Sequence, residues 1–273
     1  MENPAYPGLR EILSQTRCRT VAIDVDADGL PPARLPEETD VVFATVSHHC
    51  PTNVTMPLGR RKELLRLAED RGFVIVEDEY EFELSFMGAP SPSLKSMDRS
   101  GSVIHIGSFS KSLFPGLRLG YIVASDEFIQ EARGLRGLVL RHPPGHIQRT
   151  VAYFLSLGHY DAQINRMRQA YGRRRAVMAQ AIAREGLHIA EDAGSGGSSF
   201  WMIAPEGVDT EALADRLDAR GVVIEPGRGF FGPGHGPSRH YRLAYSSIHE
   251  DRIPEGIGLI AEEIRRFGPM EPG

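Results

Sequence analysis

The chain has 273 residues, 41% of them hydrophobic and 25% charged, with a net charge of −5. That length supports a substantial core in one large domain or two unequal ones, and the composition is that of an ordinary soluble globular protein. The acidic balance argues against a nucleic-acid-binding module, and no apolar run approaches the roughly 20 residues of a membrane span.

The N-terminus, Met1-Glu2-Asn3-Pro4, lacks the basic stretch and apolar core of a secretory signal. Cys18 and Cys50 are too few for a disulfide framework, so a reducing cytoplasm is the expected location.

Through the first half, apolar runs rich in Val and Ile alternate with helical patterns. Strands are predicted at Val21–Asp24, Val41–Val46, Phe73–Val76, Val103–Ile106 and Leu119–Ala124. Helices are predicted at Gly8–Gln15, Pro57–Arg71, Asp126–Leu138 and Gly145–Leu157. In the Pro57 helix, Leu58, Leu64, Leu65 and Ala68 keep a helical period and Gly72 supplies the stop. Apolar strands joined by helices indicate an α/β fold with a parallel or mixed sheet.

From about Tyr160 the pattern changes. A long polar helix runs to Glu185, and its arginines between Arg166 and Arg175 spread around the helix, as on a solvated or inter-domain surface. A smaller α+β unit follows: strands Leu187–Ala190, Phe200–Ile203, Val222–Glu225 and Tyr241–Tyr245, with helices Thr210–Gly221 and Ile253–Phe267. The Gly- and Pro-rich stretch Pro226 to Pro237 reads as a long loop of the kind that often serves function. The expected domains are residues 1–158, a connecting helix 159–185, and a small C-terminal domain 186–273.

The segment Gly107-Ser108-Phe109-Ser110-Lys111-Ser112-Leu113-Phe114-Pro115-Gly116-Leu117-Arg118 is the most informative. A buried strand leads into a hydroxyl-rich turn that delivers one lysine, and an arginine follows. This suits an anionic cofactor held covalently through an amine, with Ser108 and Arg118 on a phosphate and Lys111 in an imine, as pyridoxal 5′-phosphate requires. By itself, a lysine after a strand is as readily a solvated loop residue.

Upstream, Phe73–Val76 runs into Glu77-Asp78-Glu79-Tyr80-Glu81, and open α/β sheets bind ligands at such strand ends. Asp78 there can keep a pyridine nitrogen protonated and Tyr80 can donate to a phenolic oxygen, although solvated acids at a fraying strand would look the same. Tyr6 either packs or stacks on a flat ring. Arg242, alone in an apolar strand, suits either an internal salt bridge or a substrate carboxylate.

Taken together, Glu77-Asp78-Glu79-Tyr80, Ser108-Phe109-Ser110-Lys111 and Pro115-Gly116-Leu117-Arg118-Leu119-Gly120-Tyr121 resemble fold-type I pyridoxal-phosphate aminotransferases of class I/II. The branch most similar holds 2-aminoadipate-type transaminases and the aminotransferase-like domains of MocR-type (GntR-family) regulators. Its Pro-Thr-Gly-Val-Thr segment is matched by Pro51-Thr52-Asn53-Val54-Thr55.

The resemblance implies a mixed, mostly parallel seven-stranded sheet with flanking helices, a small C-terminal α+β domain, and a homodimer. It implies that Lys111 forms the imine and shuttles the proton, and that Asp78 pairs with the pyridinium and Tyr80 with the phenolic oxygen. Ser108 and Arg118 would hold the phosphate, Tyr6 would stack on the ring, and Arg242 would take the substrate α-carboxylate. Amino acids and 2-oxo acids are the implied substrates. The alternative is a cofactor-binding sensing domain of a regulator, without its DNA-binding part.

Two departures stand out. The family's asparagine and glycine around Pro-Thr are Cys50 and Asn53 here, and Cys50 is a poor donor to the phenolic oxygen. His48, His49 and Cys50 read as site lining, with no metal expected. The chain also opens where the family has used roughly a hundred residues, including a turn whose amides bind phosphate.

Overall fold

The computed structural model describes residues 1–88, 91–190, 196–232, 234 and 239–267. Near the N-terminus, β1 (Glu2–Asn3) is followed by α1 (Pro7–Ser14) and β2 (Ile23–Asp24). The expected strand at Val21–Asp24 shrinks to two residues that pair in parallel with β1, outside the main sheet. Neither β1 nor β2 is long enough to carry a full hydrophobic face.

The main sheet is built from β3 (Val41–Ala44), α2 (Leu58–Arg71), β4 (Val74–Glu79), the short α3 (Leu94–Met97), β5 (Val103–Ser108) and β6 (Gly120–Val123). Its strand order is β3-β4-β5-β6, with the first two pairings parallel and β5–β6 antiparallel. Among the described residues this sheet has four strands, where the resemblance implied seven. β6 is the edge, and all four of its residues are exposed.

α2 ends where expected, at Gly72, whose φ of 76° needs the left-handed region that glycine enters without a Cβ clash. Its Arg61 is wholly buried, donating from Nε to Met56 O (2.9 Å), from Nη1 to Pro92 O (2.9 Å) and from Nη2 to Val46 O (2.7 Å). One guanidinium thus satisfies three carbonyls and fixes the loop between β3 and α2, which carries Cys50 and Asn53.

Two helices follow, α4 (Asp126–Val139), capped by Ser125, and α5 (Gly145–Ser156). α6 (His159–Glu185) then runs 27 residues between Gly158 and Gly186, both left-handed. The C-terminal unit comprises β7 (His188–Ile189), β8 (Ser199–Ile203), α7 (Thr210–Asp218), β9 (Glu225–Pro226), β10 (His240–Ala244) and α8 (Ile253–Arg266). Its four strands lie in the order β7-β8-β10-β9, all antiparallel.

Part of the expected loop from Pro226 to Pro237 lies outside the described residues; Gly227–Phe230 forms a single 3-10 turn.

Two apolar clusters organise these elements. One gathers Val42, Ala44, Leu64, Phe73, Ile75 and Val103 around the main sheet. The other joins Phe200, Met202, Leu213, Tyr241, Ile257 and Ile260 to Tyr171, Met178, Ala181 and Ile182 of α6, so the long helix shares the C-terminal unit's core. Its arginines are largely engaged: Arg168 donates to Glu83 O (2.7 Å), Arg173 pairs with Glu250 (3.0 Å), and Arg175 lies 4.6 Å over the Phe200 ring.

Candidate active site

β4 extends three residues beyond its expected end, so the run Glu77 to Glu79 is strand and its side chains alternate between faces. Glu77 and Glu79 are buried on one face, whereas Asp78 lies half-buried on the other.

Glu77 is fully committed. It accepts from Leu94 N (2.5 Å), Lys95 N (3.1 Å) and the His105 ring Nδ1 (2.8 Å), anchoring α3. Glu79 accepts from Ser47 Oγ (2.6 Å), and burial pushes its carboxyl up to about 8. Burial also raises Asp78, with the His105 charge opposing. The bland reading of these acids as a solvated strand end is therefore wrong, because the strand carries them into the interior.

β5 ends at Ser108, whose Oγ accepts from Ser110 N (3.1 Å) and tightens the turn toward Lys111. A 3-10 turn at Pro115–Leu117 then places Arg118 at φ 49°. A non-glycine residue in that region costs about 1–2 kcal/mol, and such positions cluster at functional sites. Gly107 is also required: a Cβ there would lie 2.1 Å from Tyr121 Cζ on the neighbouring strand.

Lys111 lines a cavity of about 540 Å³ with Glu81, Ser110, Arg166, Tyr171, Arg174 and Ser246. Of the expected site residues, Lys111 alone lines it. Tyr80, pushed well up by burial, feels the charges of Glu81, Cys50, Arg242 and Asp78. Glu81 feels both Arg242 and Lys111 and so connects the two groups.

Tyr6 stands apart. It is 58% exposed at the start of α1 and its ring folds over Gly8 of its own helix. That helix is tied to the C-terminal unit, with Ala5 N donating to Phe230 O (2.8 Å) and Arg10 Nη2 to the same oxygen (2.7 Å).

Arg242 satisfies the salt-bridge reading at least in part. Its Nε donates to Ser199 Oγ (2.9 Å) and its Nη1 pairs with Glu225 (3.0 Å), which lies opposite it in the β10–β9 ladder. Neither bond uses Nη2.

The loop departures also have structural accounts. Asn53 takes φ 62°, the conformation for which the family's glycine is suited, and its Nδ2 donates to Ser199 O of β8. Burial pushes the Cys50 thiol up to about 12, so it is a neutral group at physiological pH. Burial pushes His48 and His49 down to about 4. His48 Nε2 meets Ser85 Oγ at 3.1 Å and His49 Nδ1 meets Thr52 Oγ1 at 2.7 Å. Among the described residues no cluster of three or more His, Cys, Asp or Glu side chains could hold a metal ion.

Sequence reasoning missed three residues here. Arg61 looked like one more cation on a polar helix, and Ser47 and Ser198, which hold Glu79 and Glu81, are ordinary loop serines in the sequence.

The model of the family "Aminotransferase class I and II" matches residues 1–258. The chain belongs to that family. The HTH-type transcriptional regulator TauR of Rhodobacter capsulatus is 58% identical over 97% of this chain and 55% of its own length. The 2-aminoadipate transaminase of Thermus thermophilus is 30% identical over 97% of this chain and 68% of its own.

In the crystal structure of LysN, the α-aminoadipate aminotransferase of Thermus thermophilus complexed with N-(5′-phosphopyridoxyl)-L-leucine, the similarity reaches a TM-score of 0.90. Identity there is 29%, over 97% of this chain and 70% of that one. The fold is therefore fold-type I, and the four strands of the main sheet belong to a chain that spans about half the length of the regulator it matches.

Pyridoxal 5′-phosphate is the cofactor this family uses, and the residues present fit it. Asp78, Lys111 and Arg118 make no hydrogen bond or ion pair with any described side chain, leaving a carboxyl, an amine and a guanidinium uncommitted at the ends of β4 and β5 and in the turn after them.

Proposed function

We propose that this chain is a pyridoxal-phosphate-dependent aminotransferase domain that exchanges an amino group between an amino acid and a 2-oxo acid. The observation that carries the reading is the uncommitted set Asp78, Lys111 and Arg118 at the ends of adjacent strands β4 and β5 and the turn after them. A merely structural cluster would have its charges paired in place.

When bound, pyridoxal phosphate supplies an aldehyde that condenses with amines and a ring that accepts electrons from the substrate α-carbon. In this reading Asp78 holds the ring nitrogen's proton, its own raised proton affinity matching the desolvated position. Tyr80 donates to the phenolic oxygen, Ser108 and Arg118 hold the phosphate, and Tyr6 closes over the ring. Lys111 binds the aldehyde and, once displaced, moves a proton at the substrate α-carbon. Arg242 offers Nη2 to the α-carboxylate.

The reading includes a cofactor domain over residues 1–158, a connecting helix over 159–185 and a small domain over 186–273, acting as a cytoplasmic homodimer without membrane or nucleic-acid contacts of its own.

A second reading is favoured by the 58% identity to TauR against 30% to the transaminase. The same site would bind cofactor and amino compound as the sensing part of a MocR-type regulator. Both readings require cofactor absorbance that borohydride fixes to Lys111 and that Lys111→Ala abolishes; a spectrum unchanged by that substitution sinks both. Multiple turnovers of amine onto a 2-oxo acid select the enzyme, and a single stoichiometric spectral change without oxo-acid product selects the sensor.

A further inference from the structure

The uncommitted set leaves one strongly placed acid unexplained. Glu81 is 2% exposed, accepts from Ser198 Oγ at 2.5 Å through Oε1, and has no hydrogen-bond partner at Oε2 among the described residues. An unsatisfied buried carboxylate oxygen is costly and calls for a function. Glu77 and Glu79, the other acids of the run, are spent on α3, His105 and Ser47, and neither lines the Lys111 cavity. Glu81 does line it.

We propose that Glu81 is the base that takes the proton from the ammonium group of the incoming amino compound. The inference rests on the cofactor-binding reading above and holds for enzyme and sensor alike, since both begin with amine exchange at Lys111.

The chemistry balances simply. An amino compound arrives as R–NH3+ and cannot attack until its nitrogen has a free electron pair. Glu81 carboxylate accepts one proton, giving R–NH2 and a neutral carboxylic acid. With the cofactor bound, its aldehyde carbon would pass from the Lys111 nitrogen to the substrate nitrogen, and the two hydrogens of the neutral amine would pass to Lys111, leaving it a free amine.

An ordinary carboxylate is a weak base for an ammonium, and proton transfer improves as the two affinities approach each other. Burial raises the proton affinity of Glu81, while Ser198, Arg242 and Lys111 pull it back. The remaining groups around it are Arg166 and Arg174 in the cavity wall, and the neutral acids Tyr80, Cys50, Tyr171 and Tyr245. The net direction is upward, toward a stronger base than an ordinary carboxylate.

The test compares two small nucleophiles on the cofactor-loaded protein at pH 7 by stopped-flow absorbance. Methylamine is an ammonium there and must lose a proton; methoxyamine is already neutral. Glu81→Gln should slow the methylamine reaction about tenfold or more, the low end or below of what proton transfer contributes, and leave methoxyamine within about twofold. Ser198→Ala keeps the carboxylate but removes its donor, so the half-maximal point of the methylamine rate should move to higher pH.

A carbon-13 titration of the glutamate carboxyls in the cofactor-free protein, assigned by the signal lost in Glu81→Gln, should place Glu81 above the ordinary value of about 4.3. Equal slowing of both nucleophiles would reduce Glu81 to a structural role. Unchanged methylamine kinetics in Glu81→Gln would overturn the proposal while cofactor absorbance persists. Loss of that absorbance in the unaltered protein would instead defeat the cofactor reading and this proposal with it.

Discussion

Replacing Asn53 tests how the loop between β3 and α2 is joined to the C-terminal unit. Asn53 sits at φ 62°, and its Nδ2 donates to Ser199 O, a carbonyl 146 residues away in a residue that is 1% exposed. Asn53→Ala loses that bond and strands a buried acceptor, which costs about 1–3 kcal/mol. It also leaves a side chain in the left-handed region without the local tolerance of asparagine, adding about 1 kcal/mol. The expected loss is therefore about 2–4 kcal/mol.

Asn53→Gly loses the same bond but removes the conformational penalty, so it should be milder than Asn53→Ala by about 1 kcal/mol. Urea unfolding followed by Trp201 fluorescence reads this directly. Trp201 is the single tryptophan, lies two residues along β8 from Ser199, and is buried against Phe230 and His240. Alanine and glycine variants of equal stability would refute the backbone argument. An alanine variant within about 0.5 kcal/mol of the parent, the range of an ordinary surface change, would refute the hydrogen bond as well.

Two further outcomes follow from the site. Gly107→Ala must displace the Tyr121 ring, since the added Cβ would sit 2.1 Å from Cζ and 2.4 Å from the hydroxyl oxygen. Overpacking of this kind costs about 1–3 kcal/mol, so stability and cofactor affinity should fall together, and Tyr121→Ala in the same chain should recover part of both; a Gly107→Ala chain as stable as the parent contradicts the packing. Glu79 titrates near 8 when folded against about 4.3 when unfolded. Between those values the unfolded chain has released a proton that the folded chain keeps, so stability falls as pH rises from about 5 to 8, by up to about 1.4 kcal/mol per pH unit. Glu79→Gln should reduce that slope, leaving the part due to Glu2, which burial also pushes up to about 8, and an unchanged slope would show that Glu79 is ionised in the folded state.

Features fixed by short-range chemistry were the legible ones. The Lys111 turn, the Gly72 stop and the length of α6 each depend on residues within a few positions, and all lie within a residue or two of their expected places. What could not be read were pairings across long separations. Arg242 faces Glu225 only because β10 lies beside β9 in that register. Arg61 is buried only because three loop carbonyls converge on it. The strand expected at Val21 failed for the same reason: β-branched residues suggest a strand, but pairing partners decide its length, and here the partner is two residues long.

The acidic run after β4 shows why composition misleads at such a place. Five consecutive residues, four of them acidic, would repel one another in water and resemble a solvated end. A strand instead sends alternate side chains to opposite faces, so neighbouring acids meet different surroundings. Glu77 satisfies backbone amides of a helix, Glu79 takes a serine hydroxyl in the interior, and Asp78 points the other way with no side-chain hydrogen bond among the described residues. Past the strand end, Glu81 returns to the buried side but reaches the Lys111 cavity. The same side-chain chemistry therefore serves for support at two positions and is left open at two others, at the whole Asp78 carboxyl and at one oxygen of Glu81. It is this open pair, on either side of Tyr80, that a cofactor and its amine partner can use.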